Sequence, residues 1–311
     1  MTAPALVLHH YDFSNYSEKV RLTLGLKGLA WHAVTIPAWA PKPDYTPLTA
    51  GYRRTPALQI GADVYCDTAL ICALLDERVP APALWPVSAG ERALGEALVY
   101  WAEHALFRPL ALYITGLHAR RFPPEFHADR ARLHGKPTPA IEAVEAAAGR
   151  YWPQVLPGLE RLERLLGDGR RWVLGEAVSL ADFALYEAPW FLETIGGSAA
   201  LPAALTATRD WVARVAAIGH GRPSALGAGE ALALARAATP APLAPGDATT
   251  PEGITPGERV SVRPLDQDAP AVGRLARCDA ERITLAVDGP LTGPLHVHFP
   301  RVGYRLSRQR V

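Results

Sequence analysis

Methionine and cysteine are scarce in this chain, since its 311 residues contain one methionine and three cysteines. The cysteines, Cys66, Cys72 and Cys278, are odd in number and show no C-x-x-C spacing. The odd number and the spacing argue against a framework of disulfide bonds and favour reduced thiols in the cytoplasm. Lysine is also rare, with 4 residues against 28 arginines, a bias typical of a GC-rich bacterial genome.

An excess of one charge and long apolar runs are missing as well. The net charge is +1 and no basic stripe is interleaved with aromatic residues, so we expect no nucleic-acid partner. The longest apolar runs are far too short to span a bilayer, which predicts no membrane segment. No basic stretch precedes the apolar residues Leu6–Leu8, and two histidines follow them, so we expect no signal peptide.

Three patterns follow one another along the chain. Residues 1–84 alternate strand-like and helix-like segments in the order βαβ, loop, ββα. Residues 88–238 are helical nearly throughout, residues 239–251 are a Pro/Ala linker that we expect to be mobile, and residues 252–311 alternate with period two. The predicted fold class is therefore α/β followed by all-α, with a small all-β tail module of four or five strands for which an SH3-like barrel is the candidate architecture.

Local signals mark some boundaries within these patterns. Gly61-Ala62 is a two-residue hairpin connection. The segment Glu91–His118 is periodic over its whole length and predicts one long helix, whereas the polar, proline-rich residues 120–139 predict a loop. Ser179-Leu180-Ala181-Asp182 predicts a helix start with a capping box in which Asp replaces the usual Glu or Gln.

The turn after the first predicted strand has the sequence S-N-Y-S-E-K-V-R at residues 14–21. A helix begins here, and its free N–H groups and positive dipole end favour an anion, of which a thiolate is one. The Ser14 hydroxyl is the candidate hydrogen-bond donor to such an anion. Serine is also a common cap residue, but we expect Ser17 to be the N-cap, which leaves Ser14 free for chemistry.

Three segments together resemble the glutathione S-transferase family over about residues 5–235. Residues 14–21 are similar to the S-x-x-S-x-K-V-R turn of the theta-, zeta- and omega-like branches, and Ser14 matches their catalytic position. Arg54-Thr55-Pro56 is similar to the loop with the family's cis-proline. Asp67-Thr68 is similar to the acidic and hydroxyl pair that holds the γ-glutamyl group of glutathione. The order and separation of these segments make the resemblance specific.

The resemblance implies a thioredoxin-like N-terminal domain, a helical second domain and a cytoplasmic homodimer. Glutathione is the implied co-substrate, with no metal, and Ser14 would stabilise its thiolate. The implied glutathione-binding residues are Arg54, Thr55, Pro56, Asp67 and Thr68. A small hydrophobic electrophile would enter between the domains. Side chains at the end of the first strand and on the long helix are candidates for its pocket: His10, Tyr11, Trp101, His104 and Phe107.

Two features depart from the family pattern. The Asn-Pro-x-Gly lead into the cis-proline is replaced by T-A-G-Y-R-R at residues 49–54, and residues 252–311 have no counterpart in ordinary members. They motivate an alternative, a non-catalytic binding or scaffold protein that recruits a protein partner through residues 252–311. A glutathione-dependent isomerase or ether-cleaving enzyme is a further alternative, because both begin with the same thiolate.

Two other residue types near these segments have structural interpretations. His296 and His298 have a spacing that can ligate a metal, but no third ligand stands nearby in the sequence. We therefore expect solvent-facing strand histidines and no metal site. Cys66 adjoins the Asp67-Thr68 pair, and we expect it to be a small buried residue and not a reactive thiol.

Overall fold

Ten strands and nine α-helices make up the described part of the chain, which comprises residues 4–86, 88–197 and 200–309 of a computed structural model. The strands are β1 (Leu6–His10), β2 (Ala30–Thr35), β3 (Ala57–Ile60), β4 (Asp63–Cys66), β5 (Arg222–Ala225), β6 (Arg259–Pro264), β7 (Ala271–Cys278), β8 (Arg282–Gly289), β9 (Gly293–Pro300) and β10 (Tyr304–Arg308). The helices are α1 (Asn15–Leu26), α2 (Thr68–Arg78), α3 (Ala89–Trp101), α4 (Arg108–Leu117), α5 (Pro124–Leu133), α6 (Ile141–Leu166), α7 (Leu180–Ile195), α8 (Thr206–Ala216) and α9 (Ala228–Ala237).

The first four strands confirm the predicted βαβ–ββα order. β1 lies between β2, to which it is parallel, and β3, to which it is antiparallel. β3 continues into β4 through Gly61-Ala62, and Gly61 has a φ of 62°, a conformation that glycine adopts without steric cost. All five residues of β1 are buried, which explains why Leu6, Val7 and Leu8 are consecutive apolar residues and do not alternate with polar ones.

The long helix predicted after residue 91 is present but is not uniform. A π-helical turn, Ala102–Phe107, joins α3 to α4. α4 packs closely along α6, since a Cβ on Gly116 would lie only 2.7 Å from Ala148 N. The predicted capping box at α7 is confirmed, because Asp182 Oδ2 accepts hydrogen bonds from Ser179 N and Ser179 Oγ at 2.9 Å each.

Residues 124–133 form α5, where a loop was predicted. Phe126 stacks on Phe122 with a centroid distance of 4.4 Å and meets the edge of Trp39 at 5.9 Å. Asp129 is buried, pairs with Arg53 and accepts a hydrogen bond from Ala40 N at 3.1 Å. The prediction was wrong because α5 is stabilised by contacts with the loop before β3, which the local polar pattern does not record.

The end of the helical region returns to the N-terminal sheet. β5 pairs in parallel with β2, so the stretch predicted to be all-helical contains a strand. Its four residues are exposed, and no alternating pattern marked them as a strand. Gly221 makes the approach possible, because it has a φ of 69° and a Cβ there would lie 2.5 Å from Leu29 O. α9 then covers the sheet, and its Ala231 carbonyl accepts a hydrogen bond from Gln59 Nε2 at 2.9 Å.

The C-terminal strands confirm an all-β module and join it to the N-terminal sheet. β6 to β9 form an antiparallel meander, and β10 returns to pair with β6. β9 pairs in parallel with β4, so one sheet has the order β10-β6-β7-β8-β9-β4-β3-β1-β2-β5. The domain boundaries and the SH3-like architecture stay predictions. The linker is fixed to the body where Ala241 N donates to Asp63 Oδ2 at 2.8 Å.

The module and the N-terminal sheet share one hydrophobic core. Tyr52 and Val64 from the N-terminal part pack in it with Val297, Phe299 and Leu285 from the module, all of them almost completely buried. A second core lies between the other face of the N-terminal sheet and the helical part. A module of about 60 residues is marginally stable on its own, and the shared core adds to the apolar surface that it buries.

The strand histidines are not solvent-facing as predicted, since His298 is 2% exposed. Its Nε2 lies 3.0 Å from Asp63 Oδ1, its Nδ1 lies 3.0 Å from Thr284 Oγ1, and its ring stacks on Tyr65 at 4.4 Å. The prediction was wrong because β9 lies beside β4 and is not a free strand. Within residues 4–86, 88–197 and 200–309, no group of three or more His, Cys, Asp or Glu side chains is placed to hold a metal ion.

Candidate functional site

Ser14 ends the turn after β1 and is the N-cap of α1. Its backbone is extended, its Oγ accepts a hydrogen bond from Ser17 N at 3.2 Å, and its carbonyl accepts one from Glu18 N at 3.0 Å. The prediction that Ser17 is the cap is therefore wrong. Capping uses a lone pair of Ser14 Oγ and leaves its O–H able to donate, so the cap role and a role toward an anion are compatible.

Two acidic side chains from the helical part hold α1 in place. Lys19 pairs with Glu103 in the π-helical turn and lies with Nζ 3.3 Å from Glu187 Oε1 in α7. Asn15 Nδ2 donates to Glu187 Oε2 at 2.8 Å. Burial raises the pKa of Glu187 to about 7, and the Lys19 ammonium opposes that rise. The first turn of α1, and with it Ser14, is fixed relative to α7 by these contacts.

His10 lies at the end of β1 and is buried beneath Arg21. Its Nδ1 is 3.0 Å from Arg21 Nη1, and its ring meets Trp31 edge-on at 5.7 Å. Burial, helped by the Arg21 charge, lowers the pKa of His10 to about 4. The ring is therefore neutral near pH 7, with Nδ1 as the acceptor for Arg21 and the hydrogen on Nε2.

The Thr55–Pro56 peptide bond is cis, as the resemblance implied. Lys42 reaches this loop, since its Nζ donates to Thr55 Oγ1 at 2.9 Å. The Lys42 ammonium also lies over the rings of Tyr11 and Tyr45, 5.8 and 5.3 Å from their centroids. Tyr11 in turn accepts a hydrogen bond from Ser14 N at its carbonyl, 3.1 Å away, so Lys42 and Ser14 flank the same short segment.

Lys42 is a candidate site residue that the sequence interpretation missed. It is 4% exposed, and burial lowers its pKa to about 7, with further repulsion from Arg130 and Arg53. A buried ammonium whose pKa is lowered in this way is suited to pair with an anionic ligand. Lys42 stands in the proline-rich loop and belongs to no motif, so the sequence marked it only as one of four lysines in the chain.

Asp67 precedes α2 with a φ of 80°, and both of its carboxylate oxygens are engaged. Oδ1 accepts from Ala69 N at 2.9 Å, and Oδ2 accepts from the Tyr304 hydroxyl of the C-terminal module at 2.9 Å. The Tyr304 hydroxyl lies 2.6 Å from that of Tyr52. Thr68, the first residue of α2, is buried.

Arg54 is also in contact with the C-terminal module. Its Nε donates to Gln267 Oε1 at 2.8 Å, and its Nη2 donates to Asp266 Oδ2 at 2.6 Å. The family resemblance implied that Arg54 binds glutathione. In the structure its charge is already paired with a carboxylate from the loop between β6 and β7.

The candidate pocket residues fall into different surroundings. Phe107 meets Tyr16 of α1 edge-on at 5.7 Å, and Tyr11 lies against Phe13 at 4.7 Å, so both are next to the Ser14 turn. Trp101 packs against the helical core beneath the Arg161 guanidinium.

His104 is exposed, its ring stacks on Tyr100 at 4.1 Å, and its Nδ1 lies 3.0 Å from the Tyr100 carbonyl oxygen. Cys66 is buried, and burial raises the pKa of its thiol well above the usual value, which agrees with a packing role.

Comparison with known proteins matches two segments of the chain to one family. Residues 8–83 match the glutathione S-transferase N-terminal domain, and residues 141–214 match the C-terminal domain. A GST-like protein from Pseudomonas syringae is 34% identical, with a TM-score of 0.75, over 98% of this chain and 100% of the other. The chain belongs to the glutathione S-transferase family. Its predicted combination of a thioredoxin-like domain, a helical domain and an all-β module is thereby confirmed.

More distant glutathione S-transferase structures share the fold only. The β-etherase LigF from Sphingobium is 18% identical, with a TM-score of 0.53, over 68% of this chain and 95% of its own. A theta class enzyme from Xanthomonas axonopodis, with glutathione bound, is 20% identical, with a TM-score of 0.53, over 68% and 93%. The Pseudomonas alignment, in contrast, extends through most of the C-terminal module.

No curated protein sequence matches the chain. Among the helices in the described ranges, none is both long and apolar enough to cross a membrane.

Proposed function

We propose that this chain is a glutathione transferase in which Ser14 stabilises the thiolate of glutathione and the thiolate attacks a small hydrophobic electrophile. The observation that carries the proposal is the state of the Ser14 hydroxyl at the start of α1. It accepts one hydrogen bond from Ser17 N and keeps its own hydrogen for a ligand, in a member of a glutathione-using family. A Ser-type site of the theta-, zeta- and omega-like kind follows from this proposal.

The magnitude of the effect is sufficient for this chemistry. A free thiol has a pKa near 8.5, so only a few per cent of it is thiolate at neutral pH. A hydrogen bond to a charged acceptor contributes roughly 1.5–3 kcal/mol, which corresponds to about one to two pKa units. The dipole of α1 acts in the same direction.

Charged groups along the site suit the two ends of glutathione. The Asp67 carboxylate is suited to the α-ammonium, and Thr68 with the first N–H groups of α2 is suited to the α-carboxylate. The Lys42 ammonium is the group best suited to the glycyl carboxylate, because it is buried and contacts Thr55, whereas Arg54 is paired with Asp266. The Thr55 backbone, before Pro56, would pair with the cysteinyl part. The electrophile would lie beside Tyr11 and Phe107.

The test is a glutathione titration and a conjugation assay with an activated aryl halide, chlorodinitrobenzene. We expect the wild type to bind glutathione and turn over the halide, and Ser14→Ala to lose about tenfold or more in kcat at neutral pH while glutathione affinity changes little. Ser17→Ala is the matched control, since its Oγ has no hydrogen-bond partner among the described residues. A wild type that neither binds glutathione nor turns over any electrophile with it contradicts the proposal.

A non-catalytic scaffold is the second candidate function. Arg54 and Asp67 already have partners in the C-terminal module, and this observation favours a site that has lost its ligand. Stable capture of one defined protein partner through residues 252–311, without glutathione binding, would support it. Ether cleavage, the activity in the name of the Sphingobium relative, begins with the same thiolate and would be detected as release of a phenol from an aryl ether.

We also propose a cytoplasmic homodimer of bacterial origin. Family members usually form dimers, and Leu94 and Tyr100 on α3 expose 57% and 66% of their surface. Sedimentation at micromolar concentration distinguishes a dimer from a monomer directly.

A further inference from the structure

The C-terminal module is an integral part of the body and not a separate appendage. β9 pairs with β4 over Asp63 to Tyr65, which ends two residues before Asp67. Phe299 of the same strand meets Tyr52 edge-on at 5.3 Å in the shared core. Moving the module away would break these strand pairs and expose that core to water, so the side chains it brings to Asp67 are fixed there.

The module reaches Asp67 through a short chain of hydroxyl groups. An ionised carboxylate only accepts hydrogen bonds, so Tyr304 donates to Asp67 Oδ2, and the Tyr52 hydroxyl must therefore donate to Tyr304. Tyr304 is 6% exposed, whereas Asp67 is partly exposed. The hydroxyl therefore approaches the carboxylate from the interior and leaves its outer side open to a ligand.

The orientation of Asp67 depends on these contacts. Its φ of 80° is a conformation that L-residues rarely adopt, and the carboxylate is held by Ala69 N on one oxygen and by Tyr304 on the other. Each oxygen keeps a further lone pair, so an ammonium group can still bind. A fixed carboxylate binds such a group more tightly than a mobile one, because no rotamer freedom is lost on binding.

The module also fixes the neighbouring cation. The loop between β6 and β7 holds the Arg54 guanidinium through Gln267 and Asp266. Two separate segments of the module therefore contact the two charged side chains that flank Thr55 and Pro56 in the candidate site.

We propose that Tyr304 of the C-terminal module is a positioning residue for thiol-substrate recognition, because it fixes Asp67 to receive the α-ammonium of the amino-acid end of the substrate. This inference rests on the proposed function, since it assigns the substrate end that Asp67 recognises. It also gives the module a role in specificity, as it makes recognition of the ammonium depend on a residue 237 positions away in the chain.

The test compares two probes, glutathione and its deaminated analogue, which lacks only the α-amino group. For Tyr304→Phe we expect glutathione to bind about tenfold more weakly, whereas the analogue binds as it does to the wild type. Tyr52→Phe removes only the first hydroxyl of the chain, so we expect a smaller loss of about twofold to threefold, again for glutathione alone. Tyr113→Phe on α4 loses the same atom at a side chain that packs against Trp152 of α6, and it serves as the matched control.

The outcomes separate the inference from the function on which it rests. A wild type that binds glutathione, together with a Tyr304→Phe variant that weakens both probes equally or neither, overturns the positioning role and leaves the proposed function in place. Melting curves of both tyrosine variants accompany the titrations, because a lowered melting temperature with unchanged discrimination between the probes indicates packing only. A wild type that does not bind glutathione contradicts the proposed function, and the positioning role with it.

Discussion

At its Ser14 end, the candidate site is built mainly by the first turn of α1 and the segment before it. Ser14 contacts Tyr11, Ser17 and Glu18, all within four residues. At its Asp67 end, the charged groups are held by Tyr304, Asp266 and Gln267, more than 200 residues away. In the proposed function, activation of the thiol would therefore depend on the local geometry of the α1 N-terminus, whereas recognition of the rest of the substrate would depend on the C-terminal module.

The largest expected effect is a loss of stability when the core shared by the C-terminal module and the N-terminal sheet is disrupted. Phe299 is completely buried, so we expect Phe299→Ala to lower the free energy of unfolding by about 3–5 kcal/mol. All 8 tryptophans lie between residues 31 and 211, outside the module, so tryptophan fluorescence reports on the rest of the chain. We expect the fluorescence transition in urea to move with the mutation, in a single step.

The matched control for this core substitution is Leu291→Ala, whose side chain in the module is 46% exposed. We expect it to change the free energy of unfolding by less than about 1 kcal/mol. If Phe299→Ala unfolds the module but leaves the fluorescence transition in place, the module folds independently of the rest of the chain. The module could then not be what holds the Asp67 end of the site in position.

An intermediate effect is expected at Lys42, which contacts Thr55 between the two ends. Its pKa of about 7 is lowered by burial, so in the free protein the ammonium loses its proton as the pH rises through neutrality. A ligand carboxylate binds the charged form, and binding above pH 7 therefore requires uptake of a proton. We expect the affinity for S-methylglutathione, which has no titrating thiol, to fall between about pH 6 and pH 8, by at most tenfold per unit.

Lys42→Met provides the control for this pH dependence. The variant lacks the titrating group, so we expect weaker binding of S-methylglutathione that changes little over the same range. Identical pH profiles for the wild type and the variant would exclude Lys42 as a carboxylate ligand. Chemical denaturation provides an independent measurement. The unfolded state binds the Lys42 proton more tightly than the folded state, so Lys42 raises the free energy of unfolding of the wild type as the pH rises from 7 toward 10. We expect the Lys42→Met variant to lack this increase.

The smallest effect is expected for the ion pair between Arg54 and Asp266. The two side chains are 28% and 47% exposed, so solvent screens the pair. Asp266→Asn should change the free energy of unfolding by less than about 1 kcal/mol. It should also release Arg54 for a ligand carboxylate, and we expect a modest gain in the affinity for glutathione, measured by titration calorimetry. A large loss of affinity would mean that Asp266 itself contacts the ligand.

The Ser14 turn, the Gly61-Ala62 hairpin and the capping box of α7 were predictable because each is decided by a few neighbouring residues. Even there, the prediction that Ser17 is the cap was wrong, since both candidates are serines and only the backbone conformation decides between them. α5 and β5 were missed because contacts with distant segments stabilise them and no local period marks them.

The environment of Asp67 could not be predicted for a similar reason. Nothing in the residues around Asp67 indicates a partner in β10, and the alternation in the tail predicts strands without saying what they pair with. His298 illustrates the consequence, because a histidine on an isolated strand faces solvent, whereas pairing with β4 buries it against Asp63. The surroundings of Asp67 are therefore determined by strand pairing between distant segments, which the local sequence pattern does not indicate.

A crystal structure of the chain with glutathione bound tests most directly whether Ser14 holds the sulfur while the C-terminal module positions Asp67 for the α-ammonium. We expect the glutathione sulfur within hydrogen-bond distance of Ser14 Oγ and the α-ammonium on Asp67, with the Tyr304 hydroxyl still donating to the same carboxylate. A sulfur that contacts other groups, or a ligand that binds only after the module has left Asp67, would contradict the claim.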